Sequence, residues 1–221
     1  IDFNLMPEET MAQTTHYFVE SIHRRDNHLS VGFLGISHLL PALTKCGQSE
    51  LAFALLEQKG NPGWLYSVIN GATTIWERWN SYIAETGTFG DVSMNSFNHY
   101  AYGSIGQWLY RTVLGIQTGE NADEAGYHKI FLTPSWGGTL TYAKGEQETP
   151  FGKIASSWEK KENSIVYRCT IPANTTAHLS LPASGHNSVQ ILEGAAIADN
   201  AAVSGVADFE LVSGSYTFKI Y

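Results

Sequence analysis

Residues 98–128 read NHYAYGSIGQWLYRTVLGIQTGENADEAGYH, and the change of pattern inside them decides the fold. From Asn98 to Leu114 the apolar residues Ile105, Trp108, Leu109 and Val113 recur at helical spacing, with Gly115 placed as a cap. Residues 116–128 then turn acidic and rich in small side chains, which marks a boundary between two domains, 1–118 and 119–221. The chain keeps a different period on each side of it.

Upstream the period is helical. Pro7 followed by Glu8 and Glu9 opens a segment to about Arg24, with Met11, Phe18, Val19 and Ile22 apolar. A second segment runs from about Phe33 to Cys46 and stops at Gly47. A third spans Ser49 to Lys59 before Gly60, and a short piece covers Trp64–Asn70 before Gly71. Downstream the period falls to two: Ile165, Tyr167, Cys169 and Ile171 alternate with Val166, Arg168 and Thr170. Ala177, Leu179 and Leu181, and then Tyr216, Phe218 and Ile220, repeat the pattern. Turn signals at Gly137-Gly138, Lys161-Glu162-Asn163, Ser184-Gly185 and Ser213-Gly214 separate short strands, as in an antiparallel sandwich.

Composition narrows the function. Among 221 residues, 21 Asp and Glu outweigh 13 Lys and Arg, giving a net charge of −8, which argues against nucleic acid or an anionic membrane as partner. No apolar run approaches the roughly 18 residues of a membrane span, and residues 1–30 show no signal-peptide pattern. Cys46 and Cys169 make no metal or redox motif and read as small buried apolar residues. His16 and His23 share a helix face without an acidic third ligand, so neither a metal nor a cofactor is expected. With 6 Trp, 11 Tyr and 10 Phe beside only 15% charged residues, the chain suits either an aromatic core or rings that stack on sugar C–H faces.

Two segments concentrate the chemistry. In residues 70–79 (NGATTIWERW) Glu77 lies between Trp76 and Trp79, beside Arg78. A carboxylate walled by indoles sheds hydration, which suits it to proton transfer, and the same rings can hold a sugar; the alternative is that Glu77 pairs Arg78 or caps a helix. In residues 91–100 (DVSMNSFNHY) His99 can bind a substrate hydroxyl or serve as a satisfied structural histidine, and Asn98 can be an N-cap. Trp64, after Pro62-Gly63, is either a loop aromatic on a sugar face or part of the core. Asn174-Thr175-Thr176 forms a glycosylation sequon.

These blocks carry a resemblance. Gly32-Phe33-Leu34-Gly35, residues 71–79 and residues 96–104 followed by Trp108-Leu109-Tyr110 resemble the α-L-rhamnosidases of glycoside hydrolase family 78. Residues 138–142 (GTLTY), Pro150–Ile154 with Ser157-Trp158, and residues 171–175 (IPANT) are similar to that family's C-terminal domain. The resemblance implies the C-terminal helices of an (α/α)6 barrel followed by an antiparallel β-sandwich, and hydrolysis of terminal α-L-rhamnose with inversion. It assigns Glu77 as general base and His99 as a rhamnose contact; the residue types themselves add Trp76, Trp79, Trp64 and Asn98 as candidate sugar contacts.

The family's general acid lies in an upstream Asp/Arg/Glu-rich motif ending Trp-x-Gly-Asp, which these residues do not contain, and five helical segments do not close a twelve-helix barrel. The chain, which opens with Ile1, is therefore expected to be part of a longer rhamnosidase, inactive alone. Its unpaired barrel face is expected to drive self-association. The nature of rhamnosides tilts localisation toward periplasm or secretion. Two other readings stand beside this one: a non-catalytic carbohydrate-binding or scaffold module, and an (α/α)6 glycosidase of other sugar specificity.

Overall fold

The computed structural model describes residues 1–119, 121, 122, 124–183, 188–195, 197–199 and 205–221. The turn expected at Ser184-Gly185 lies outside the described residues. The chain divides into two compact units, residues 1–108 with 137–139, and residues 109–136 with 140–221.

The first unit is helical. α1 (Glu8–His23) takes Pro7 as its N-cap and carries Glu8 and Glu9 in its first turn and His23 in its last, charges placed to suit the helix dipole. α2 (Phe33–Lys45) buries Ile36, Leu39, Leu40, Ala42 and Leu43, and α3 (Ser49–Leu56) buries Leu51, Ala52, Phe53 and Leu55. α3 ends before the expected Lys59 because the chain turns away at Glu57. The Glu57 carboxylate accepts the backbone N–H of Thr139 at 2.8 Å and its hydroxyl at 3.0 Å, tying residues 137–139 to this unit. α4 (Trp64–Ile69) ends at Gly71, whose φ of +84° only glycine adopts without strain.

A two-stranded hairpin, β1 (Tyr82–Ile83) and β2 (Thr88–Phe89), follows. The continuous helix expected from Asn98 is instead a composite: a 3₁₀ turn (Ala101–Ser104), α5 (Ile105–Trp108) and a π turn (Leu109–Val113). Its start is delayed because residues 96–99 already bond elsewhere with their backbone. Its end widens to a Leu114-to-Leu109 hydrogen bond of 2.9 Å, while the carbonyls of Val113 and Leu114 accept Trp158 Nε1–H at 2.8 Å and the Ser156 hydroxyl at 2.6 Å.

The second unit holds two five-stranded sheets. One has the order β10 (Ile197–Asp199), β11 (Val206–Leu211), β8 (Thr176–Pro182), β4 (Lys129–Leu132) and β3 (Ile116–Thr118). The other runs β5 (Tyr142–Thr149), β6 (Gly152–Lys161), β7 (Ser164–Ile171), β12 (Gly214–Ile220) and β9 (Val189–Glu193).

The alternating residues supply the core: Tyr167, Cys169 and Ile171 from β7, Ala177, Leu179 and Leu181 from β8, and Tyr216, Phe218 and Ile220 from β12. Phe209 of β11 meets Phe218 of β12 across the sheets, ring centroids 5.1 Å apart, so the sheets face each other as a sandwich. One pairing departs from the antiparallel rule. β4 runs parallel to β8, because the chain leaves for the second sheet after β4 and re-enters beside it.

Candidate active site

The two chemistry-bearing segments, separated by residues 80–90, are laced together in the fold. The Thr74 hydroxyl donates to the Phe97 carbonyl, and the Glu77 backbone N–H donates to the Ser96 carbonyl at 2.9 Å. The Ser96 N–H returns to Glu77 Oε2 at 2.7 Å, and the His99 N–H reaches the Ile75 carbonyl at 2.9 Å. The segment carrying Glu77 therefore lies antiparallel against the segment carrying His99. Glu77 itself is half-buried, with one carboxylate oxygen fixed by a short charge-assisted bond.

Arg78 turns elsewhere, to Asp91 at 3.7 Å. The Ser93 hydroxyl at 2.7 Å holds the Asp91 carboxyl below its usual range, helped by the Ser93 N–H at 2.9 Å and by Arg78. Fully buried Ser81 anchors this loop. Its hydroxyl accepts the Arg78 N–H at 3.2 Å, while its carbonyl accepts the Gly90 N–H and the Asn95 side-chain amide, each at 2.9 Å.

The indoles bracketing Glu77 pack into different clusters. Trp76 is buried with its edge toward Phe97, centroids 5.4 Å apart. Trp79 stacks on Tyr102 at 3.7 Å and 8°, takes the edge of Trp64 at 5.5 Å, and donates its N–H to the Val31 carbonyl at 3.1 Å. Trp64 is 8% exposed and gives its N–H to the Tyr102 carbonyl at 2.9 Å, so it is packed within the helical unit.

A cavity of about 20 Å³, room for a single water, lies among Trp64, Ile75, Trp76, Arg78, Trp79 and Tyr102. Burial pushes the Tyr102 hydroxyl up; Arg78 pulls it down, and the Glu77 charge pushes it up, so the carboxylate is felt at this ring. A broader hollow of about 640 Å³ opens beside Trp76, between residues 69–74 and the rings of Tyr82, Phe89 and Phe97.

His99 stacks between Phe33 (4.5 Å, 17°) and Tyr100 (5.3 Å, 8°). Its Nδ1 accepts the Ala101 N–H at 3.4 Å, which leaves Nε2 as the N–H donor of the neutral ring. Asn98 is exposed and does not cap a helix: its backbone N–H takes the Ser96 hydroxyl at 3.1 Å, and helical backbone begins at Ala101. Sequence reasoning gave no role to Ser96, Phe33 or Tyr102, although Ser96 stands in the polar run before the helix and all three lie in the blocks that carry the resemblance, and it missed the Tyr82–Phe89 hairpin. His23 bonds Asn27 at 2.9 Å, and among the described residues no group of three or more His, Cys, Asp or Glu could hold a metal ion. Among those residues no helix is long and apolar enough to cross a membrane.

Residues 1–113 match the bacterial alpha-L-rhamnosidase 6 hairpin glycosidase domain, and residues 115–196 match the bacterial alpha-L-rhamnosidase C-terminal domain. The chain belongs to the bacterial α-L-rhamnosidase family. It is 39% identical over 220 residues to an alpha-L-rhamnosidase of Streptomyces avermitilis, covering all of this chain and 21% of that one. It is 41% identical over 189 residues to one of Formosa agariphila, covering 86% of this chain and 20% of the relative. The solved structure of the Streptomyces avermitilis enzyme complexed with L-rhamnose superimposes with a TM-score of 0.90 at 38% identity, over all of this chain and 21% of that one. The chain thus spans about a fifth of the length of these rhamnosidases. The six-hairpin helical part followed by a sandwich is the expected fold class.

Proposed function

We propose that this chain supplies the base-bearing side of the catalytic site of an inverting α-L-rhamnosidase acting on terminal rhamnose of glycosides. The observation that carries the reading is the lacing of residues 74–77 to residues 96–99, which brings a half-buried carboxylate and a histidine N–H onto paired segments. Glu77 acts as general base: Ser96 N–H fixes Oε2, and the other oxygen takes a proton from the water that attacks the anomeric carbon. His99, oriented by Ala101 N–H and the Phe33 ring, donates Nε2–H to a sugar hydroxyl. Trp76 and Trp79 shape the apolar wall, Trp64 packs edge-on behind Trp79, and the exposed Asn98 amide adds a polar contact.

Inversion needs a second carboxyl group roughly 6.5–9.5 Å from the base, leaving room for that water while protonating the leaving oxygen. In this reading that acid comes from the remainder of an intact enzyme, so the chain alone does not turn over rhamnosides. Exposed Leu34 (92%) and Tyr100 (88%), with Val68 and Ile69, form apolar surface that the remainder covers. Proton NMR of the first product tests the reading: an α-rhamnoside cleaved by the intact enzyme releases β-rhamnose first, and α-rhamnose appearing first overturns it.

A further inference from the structure

The sandwich contains a cleft that the proposed hydrolysis does not use. It measures about 550 Å³, within the roughly 300–1,000 Å³ of small-ligand sites, and lies where the turn joining β6 and β7 faces Pro182 at the end of β8. Trp136 and Tyr221 line it together with Lys161, Glu162 and Asn163. Trp136 is half-buried and set edge-on to Trp158 at 6.4 Å. The N–H groups of Trp64, Trp79, Trp108 and Trp158 are all bonded within the protein. That of Trp136 has no partner among the described residues, so the cleft presents an aromatic surface with a donor to spare.

Tyr221 is 62% exposed yet held in place: its hydroxyl donates to Gln190 Oε1 at 2.9 Å, and the Lys219 ammonium lies 4.6 Å from the ring centroid. A ring pinned in this way costs little entropy when a ligand stacks on it. The nearby cations are already engaged: Lys161 pairs with Glu159, Lys160 lies over the Trp158 ring at 5.9 Å, and Lys219 sits on Tyr221. The exposed groups left to meet a ligand are a carboxylate (Glu162), a carboxamide (Asn163) and the indole N–H, which together bond hydroxyls rather than neutralise an anion.

We infer that this cleft between Trp136 and Tyr221 is a second, non-catalytic binding site for a neutral saccharide, independent of the rhamnosidase reading. The test is titration of the ¹⁵N-labelled chain with L-rhamnose, cellotetraose and xylotetraose as neutral probes and galacturonic acid as the anionic one. The Trp136 indole signal is assigned by its loss in Trp136→Phe. A saturable shift of that signal by at least one neutral probe, weakened about tenfold or more in Tyr221→Ala, is the expected result. No saturable shift with any neutral probe, a shift with galacturonic acid alone, or shifts confined to the Trp76 and Trp79 signals overturns the inference.

Discussion

Trp79 links the segment carrying Glu77 to the helical core, and its removal has a cost that can be worked from its contacts. Truncating a buried aromatic to alanine costs about 3–5 kcal/mol. Half-buried Trp79 accounts for about 2–3 kcal/mol of that kind. Its parallel stack on Tyr102 at 3.7 Å adds about 1 kcal/mol beyond area, and the 3.1 Å bond to the Val31 carbonyl about another. Trp79→Ala should therefore destabilise the helical unit by about 4–5 kcal/mol. Trp79→Phe keeps a ring on Tyr102 but loses the N–H and one fused ring, and should cost about 2 kcal/mol. Urea unfolding followed by circular dichroism at 222 nm, where helices dominate, reads both. If Trp79→Phe is as damaging as Trp79→Ala, or Trp79→Ala costs under about 1 kcal/mol, the stack does not anchor the loop and the reasoning fails.

Burial pushes the Cys169 thiol up from an ordinary 9.0 to about 12, so between those values the unfolded chain gives up a proton that the folded chain keeps. Stability should fall with rising pH, by up to about tenfold in the folding constant per pH unit, and buried Tyr167, also pushed up, steepens the fall above about pH 10. Urea midpoints at pH 8, 9 and 10 that decline in the native chain and flatten in Cys169→Ala between pH 9 and 10 are the expected pattern; a native midpoint constant to pH 10 contradicts it. Gly115 has φ +74°, and an added Cβ would lie 2.2 Å from the Pro134 nitrogen, so Gly115→Ala should lower stability by more than about 2 kcal/mol. Gly106 lies in α5 with nothing within 4 Å of an added Cβ, so Gly106→Ala should instead raise stability by about 0.5–1 kcal/mol in the same melts. Sedimentation of the chain should show concentration-dependent association that Leu34→Glu reduces; a monomer at every concentration would refute the apolar-face account.

Much of the fold was legible because it rests on local signals. Pro7 with Glu8 and Glu9, and the glycine stops at Gly47, Gly71 and Gly115, all with φ near +75 to +84°, encode their own helix ends. Alternation in β7, β8 and β12 likewise names the buried face before any partner strand is known. What failed depended on distant partners. α3 stops short because Glu57 bonds Thr139, 82 positions away, and periodicity carries no trace of that bond. The parallel β4–β8 pairing is a fact of chain path, while the hairpin at Tyr82–Phe89 has strands too short to show a period.

For the site, residue types pointed to Glu77 and His99, but every link between their segments has a backbone group of residues 96–99 on one side, which any sequence possesses. The alternative that Glu77 pairs Arg78 is resolved by Asp91, which holds Arg78 at 3.7 Å from across the loop.

Glu77→Gln in the intact enzyme is the most direct test of the account. The carboxamide keeps the shape and an oxygen to accept Ser96 N–H, so folding and rhamnose affinity should stay near those of the unaltered enzyme. Loss of the base should lower kcat on an aryl α-L-rhamnoside by about 10²–10⁴-fold. Turnover within a few fold of the unaltered enzyme would contradict the assignment of Glu77 as the general base.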